Sequence, residues 1–231
     1  MTAAALCALL GGCVIAVGNG DTADAAPIET RRFEVAAFDR VVLAAGDAVR
    51  VLSGDTASVV ASGDPRALSA LSVTVEHGQL RVARKSGRWS DRGAVVTVTV
   101  PVLRDAELSG SGSMDVEAVA PAFAAHLSGS GSLDLRGVRG DTVTIDADES
   151  GSVTASGAVR SLDVRVRGSG DVDARALAAR DVRVDLSGSG SVRAQASQTA
   201  DVSAGGSGDV TIAGSPRCSV SKGGSGSVRC G

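Results

Sequence analysis

From Leu103 onward the chain alternates apolar and polar residues on both sides of a short glycine-serine stretch, and it does so seven times. "LSGSGS" appears at Leu108–Ser113, Leu127–Ser132 and Leu186–Ser191, with close variants between and after. The second glycine of each copy marks a position: Gly112, Gly131, Gly151, Gly170, Gly190, Gly208 and Gly226, spaced 18 to 20 residues apart. Two residues after it stand Met114, Leu133, Val153, Val172, Val192, Val210 and Val228. Six residues before it stand Ala106, Ala125, Ile145, Val164, Val184, Val202 and Val220. The positions between are polar, so each copy predicts a strand, a glycine bend and a second strand, both of period two.

A repeat this short cannot carry a helix across a sheet. Self-similarity at this period predicts a stack of coils, each buried only by its neighbours. The fold expected is an all-β parallel β-solenoid of 18–20 residues per coil, with seven coils running about 34 Å at the 4.8 Å strand spacing. The seven marked glycines are its structural turns, suited to the bend by their tolerance of positive φ and by the close stacking they permit. Serine precedes every one of them, whereas the residue before that is glycine in six copies and Glu149 in the third.

Thr30 to Pro101 is less regular. Alternating runs such as "AVRVLSG" and "AVVTVTVP" predict strands, and "DPRALSAL" predicts one helical turn with an Asp cap and proline at its first position. The organisation expected is a signal at 1–25, an N-terminal cap with irregular first coils at 26–103, and regular coils with a C-terminal cap at 104–231, one continuous domain over 30–231. "KSGRWSDRG" (Lys85–Gly93) predicts a projecting loop.

Composition narrows the picture. Aromatic residues make up 2% of 231 residues, so the core must be Val, Leu and Ala. A net charge of −3 and the lack of stacking aromatics argue against nucleic acid. The apolar start "TAAALCALLGGCVIAVG" has the length of an export signal. Two processing readings stand side by side: "LGGC", a lipobox-like site making Cys13 a lipidated first residue and membrane anchor, and "ADA" at Ala23–Ala25, releasing a soluble chain. Both lead to an oxidising compartment, the periplasm or the outer surface. Cys218 and Cys230 then remain as an even pair on inward columns of the last coil, predicting a disulfide. In that coil Lys222 replaces the apolar residue, resting its stem on the open core.

Candidate chemistry is sparse. "GGSGDV" at Gly205–Val210 is near a calcium-binding β-roll sequence, but its period is wrong, and "SKGGSG" lacks the order of a phosphate loop. The column Asp115, Asp134, Thr154, Asp173 stacks carboxylates that would suit a cation or a glycosidase, yet it decays to Arg193 and Thr211. His77 and His126 fall on a turn and an outward column, without ligand partners. No cofactor, metal site or catalytic residue is predicted. Trp89, with Arg84, Lys85, Arg88 and Arg92 around it, is the candidate ligand contact. It stacks on a sugar or touches a lipid headgroup in one reading, and plugs the end of the solenoid in the other.

With "FDRVVLAAGDAVRVLSG" leading into the "SGSG" coils and "CSVSKGGSGSVRCG" closing them, the chain resembles the putative auto-transporter adhesin head GIN domain family over roughly Phe33–Gly231. The resemblance implies a right-handed parallel β-helix in a bacterial exported protein, often a lipoprotein. It implies adhesion or scaffolding at the cell envelope and brings no binding residues with it. A carbohydrate-active enzyme or glycan-binding β-helix, and a purely structural envelope protein, are the alternatives. The partner expected is an envelope glycan or protein.

Overall fold

The computed structural model describes residues 28–85, 93–117 and 119–231. It is a parallel β-solenoid of about seven turns. The predicted columns stack in register. Leu133 lies opposite Met114 and Val153, and the row continues through Val172, Val192 and Val210 to Val228. Ala125 likewise lies between Ala106 and Ile145, in a row that ends at Val220. Up to Val210 and Val202 these side chains are buried, so the period-two pattern has become a dry interior of stacked like residues.

The strands begin with β1 (Glu29–Phe33), β2 (Arg40–Ala44), β3 (Ala48–Ser53) and β4 (Ser58–Gly63). After α1 (Pro65–Ala70) come β5 (Leu71–Glu76), β6 (Gln79–Arg84), β7 (Ala94–Val100), β8 (Leu103–Leu108) and β9 (Ser113–Val116). The repeats follow as β10 (Val119–Leu127), β11 (Ser132–Ala147), β12 (Ser152–Val166), β13 (Asp171–Leu186) and β14 (Ser191–Gly206). Three shorter strands, β15 (Asp209–Gly214), β16 (Arg217–Gly224) and β17 (Val228–Cys230), complete the last coils.

The bend explains the glycines, and corrects part of the expectation. None of the seven marked glycines has a positive φ. What they need is room. A Cβ on Gly112 would lie under 3.0 Å from the carbonyl oxygen of Asp47, and one on Gly131, Gly151, Gly170, Gly190, Gly208 or Gly226 would meet the carbonyl of the glycine one coil earlier. At several bends that carbonyl accepts a hydrogen bond from the next coil, as in Ser132 N–H to Gly112 O at 3.1 Å and Asp171 N–H to Gly151 O at 3.1 Å; after Gly170 and Gly208 the N–H of Ser191 and Ser227 goes instead to the carboxylates of Asp171 and Asp209, at 3.0 and 2.8 Å. Coils in register at the bend therefore exclude a side chain at these seven positions.

The first part of the chain is not stacked in sequence order. β2 pairs in parallel with both β6 and β8, and β3 with both β7 and β9. The β2–β3 coil thus lies between two coils that come later in the sequence. Outside the β6–β7 coil the chain turns antiparallel: β5 runs against β6, β4 against β7, and β1 against β4. The β5–β6 reversal follows from a two-residue turn, His77–Gly78, whose φ angles of 51° and 75° are the left-handed pair such hairpins require.

The N-terminal end of the core is closed by α1. Its cap is as predicted: Asp64 accepts a hydrogen bond from Arg66 N–H at 2.7 Å, and Pro65 opens the helix. The helix buries Ala67, Leu68 and Ala70 against the core. At the other end Cys218 and Cys230 form the predicted disulfide, with Cα atoms 6.4 Å apart. It ties β16 to β17, which stack on Ala200 and Ile212 of the coils before. Lys222 lies over Ala204 and is exposed.

Gly190→Ala should lower stability by about 1–3 kcal/mol, the cost of forced overpacking. Gly223→Ala, where a Cβ meets nothing within 4 Å, should change it by less than about 0.5 kcal/mol. Thermal unfolding followed by circular dichroism compares the two.

Candidate binding groove beside the serine bend

The bend carries serine on its outside because the inside has no room. Ser111, Ser130, Ser150, Ser169, Ser189, Ser207 and Ser225 are all exposed, one per coil. Where this row meets the antiparallel flap of β1 and β4, a groove of about 590 Å³ opens. One wall is the row itself, at Ser111, Ser130 and Ser150. The other includes Ile28 and Ser62, and Asp47 lies at its base. Its lining mixes serine hydroxyls and glycine backbone with the apolar side chains of Ile28, Ala94 and Val95. A second cleft, of about 420 Å³, lies between Phe38, Asp39, Val102 and Arg104 and is more apolar.

Asp47 is the one buried charged residue among those described, 2% exposed. It occupies the bend position of the β2–β3 coil, one rung from Gly112. Its carboxylate accepts from Arg84, with Nε at 2.8 Å from Oδ2, and from Ala94 N–H at 2.8 Å. The guanidinium makes a second bond through Nη2 to Oδ1. The group fixes the bend and is not a free acid.

The outward carboxylate column is neutralised in the same way. Arg136 lies between Asp115 and Asp134, each at 2.8 Å. Its guanidinium is held more firmly protonated by the hydrogen bond to Asp134 first and the charge of Asp115 next. Arg175 donates to Asp173 at 2.9 Å, and that bond holds the carboxyl below its usual range. These carboxylates are therefore ion-paired along the column rather than facing one another across a cleft. Among the described residues no three His, Cys, Asp or Glu side chains are grouped to hold a metal ion.

His126 lies between Asp105 and Asp146, its Nε2 and Nδ1 at 3.5 and 3.4 Å from their oxygens. Its pKa is raised, first by the hydrogen bond to Asp105, with the charges of Asp105, Asp146 and Glu107 acting against partial burial.

The sequence matches the family described as "Putative auto-transporter adhesin, head GIN domain" over residues 37–216. The chain belongs to this family. Among solved structures, a putative adhesin from Bacteroides fragilis shares the fold with a TM-score of 0.83 at 20% identity, over 88% of this chain and 96% of that one. A putative lipid binding protein from Parabacteroides distasonis aligns at 0.69 and 22%, over 88% and 96%. A putative adhesin from the same organism aligns at 0.64 and 20%, over 88% and 97%. No curated protein matches the sequence.

In this GIN domain the candidate residues named from the sequence separate. Trp89, Arg88 and Arg92, and Cys13 at the other extreme, lie outside the described residues. Arg84 is forked onto Asp47. Lys85 reaches the C-terminal end of α1, its ammonium donating to Ser69 O at 2.9 Å and its N–H to Ala70 O at 2.8 Å. Asp47 was not singled out by sequence reasoning. Its signal is present in "AGDAV", where an acid stands at the bend position that glycine holds elsewhere.

Asp47→Ala should destabilise by about 3 kcal/mol, since it leaves the part-buried Arg84 without its carboxylate; chemical denaturation measures this. Because the folded pKa of His126 is raised, its ion pairs stabilise fully below about pH 6.5 and are lost as pH rises through the folded value. The melting temperature should fall between pH 6 and 8 by an amount worth under about 1 kcal/mol, and His126→Gln should remove that fall.

Proposed function

We propose that the protein is an exported adhesin-type binding module of the cell envelope, working through the groove and the hydroxyl row beside it, and not an enzyme. The observation that carries this reading is the pairing of its acids. Asp47, Asp115, Asp134 and Asp173 are all engaged by arginine, while the groove beside the repeats presents serine hydroxyls and glycine backbone together with apolar Ile28, Ala94 and Val95. Such a surface hydrogen-bonds a neutral, polyhydroxylated ligand and does not activate one. The family's adhesin name supports the same class of function. Export through the apolar start, with Cys13 as the lipidated first residue, belongs to this reading, as does an envelope glycan as partner.

Two serines of the row, one in the groove wall and one outside it, provide the test. Purified protein is screened on arrayed envelope glycans and peptidoglycan fragments. Ser130→Trp, which fills the groove from an exposed position, should weaken the best interaction at least tenfold with an unchanged melting temperature. Ser189→Trp, on the same row and away from the groove, should leave it within about twofold. Release of new reducing ends or unsaturated sugars from any of the glycans would overturn the reading.

A further inference from the structure

The two ends of the solenoid are closed very differently. The N-terminal end has α1 laid over the core and antiparallel strands beside the outermost coil. The C-terminal end has a disulfide and one lysine. All eight residues of β16 are exposed. The strand pairs with β14 on one side; among the described residues nothing pairs with the other. Natural sheets seldom leave an edge of this length open, because its backbone groups pair readily with another chain.

This edge has its own chemistry. Residues 215–231 hold Arg217, Lys222 and Arg229 and no aspartate or glutamate, although the whole chain is net negative. Val220 continues the buried row of Val202 and is 47% exposed. Lys222 is two residues further along the strand, so it points to the same face as Val220, the face that closes the core. Two copies meeting end to end through this surface would bring like charges together.

We infer that β16 is a docking edge for an extended acidic segment of a partner protein, which adds one strand to the solenoid. Main-chain hydrogen bonds along the edge supply affinity, and alternate side chains supply selection. The segment carries an apolar residue over Val220 and, two positions away on the same face, an aspartate or glutamate that meets Lys222. Arg217 and Arg229 add attraction at longer range. This surface is separate from the groove, so the proposed function does not depend on it.

The test uses the full chain and a fluorescent ten-residue peptide of serine and threonine, with one valine and one glutamate two residues apart. Binding is read by anisotropy and by amide hydrogen exchange of the protein. The expected result is saturable binding, with the amides of β16 gaining protection. Replacing the peptide glutamate by lysine should weaken binding at least tenfold. A proline in the middle of the peptide should abolish it. Lys222→Glu should weaken the glutamate peptide at least tenfold and improve the lysine peptide, with the melting temperature unchanged, and Arg229→Gln should weaken binding two- to threefold. The inference is overturned by any of three outcomes: binding that tolerates the proline, equal or stronger binding to phosphatidylglycerol vesicles with no protection at β16, or a sedimentation profile in which the chain dimerises through this end.

Discussion

Everything in this fold depends on a carbonyl oxygen. At each marked bend the carbonyl of one coil faces the Cα of the next coil's glycine, which must carry no substituent; at four of the bends a glycine carbonyl also accepts an N–H from the next coil, and at two an aspartate carboxylate takes that N–H instead. This contact sets the coil spacing at the bend, keeps the apolar rows in register on both sides, and turns the serine before each glycine outward. Burial then follows. A core of valine, leucine and alanine is thin and nearly uniform, and it is dry only if each rung lies directly on the last. A single added methyl group at the bend would tilt one coil and open the rows on either side of it.

Much of this was legible in the sequence because the constraint repeats. Seven glycines at steady spacing, each with its serine, gave the stack; alternation gave the rows, and the two late cysteines gave the closure. The reason assigned to the glycines was partly wrong. Positive φ is a property of one residue, whereas the real restriction is the close stacking also expected of these glycines, and only the structure shows which carbonyl of the neighbouring coil imposes it. The same limit hid the pairing of Asp47 with Arg84, 37 residues apart, and the sharing of Arg136 by two acids on different coils. Stacked carboxylates looked like a possible active column until the cation between them was placed.

The N-terminal part was legible as strands and as a capped helical turn, and illegible as topology. Alternation gives a strand its inner face but does not give its neighbour. What decided the arrangement was one hairpin at His77–Gly78 and the helix bridging β4 to β5, which send the chain back to lay β6 and β7 on the outer side of β2 and β3. The groove exists because of this reversal: the antiparallel flap, a departure from the repeat, provides the second wall that a regular solenoid lacks.

The enclosed position of the β2–β3 coil also bears on folding and on force. In a solenoid built in sequence order, either end can peel away one rung at a time. Here the earliest coil is held on both sides by strands added later, so it forms only when segments more than 60 residues downstream have arrived. Such long-range closure is slow to nucleate, and once made it leaves the N-terminal layers to open together. The coil at β16 and β17 is held to a single neighbouring coil among the described residues, but the Cys218–Cys230 bond closes it into a loop, so under a pull it would come away as one unit before the N-terminal block yields all at once.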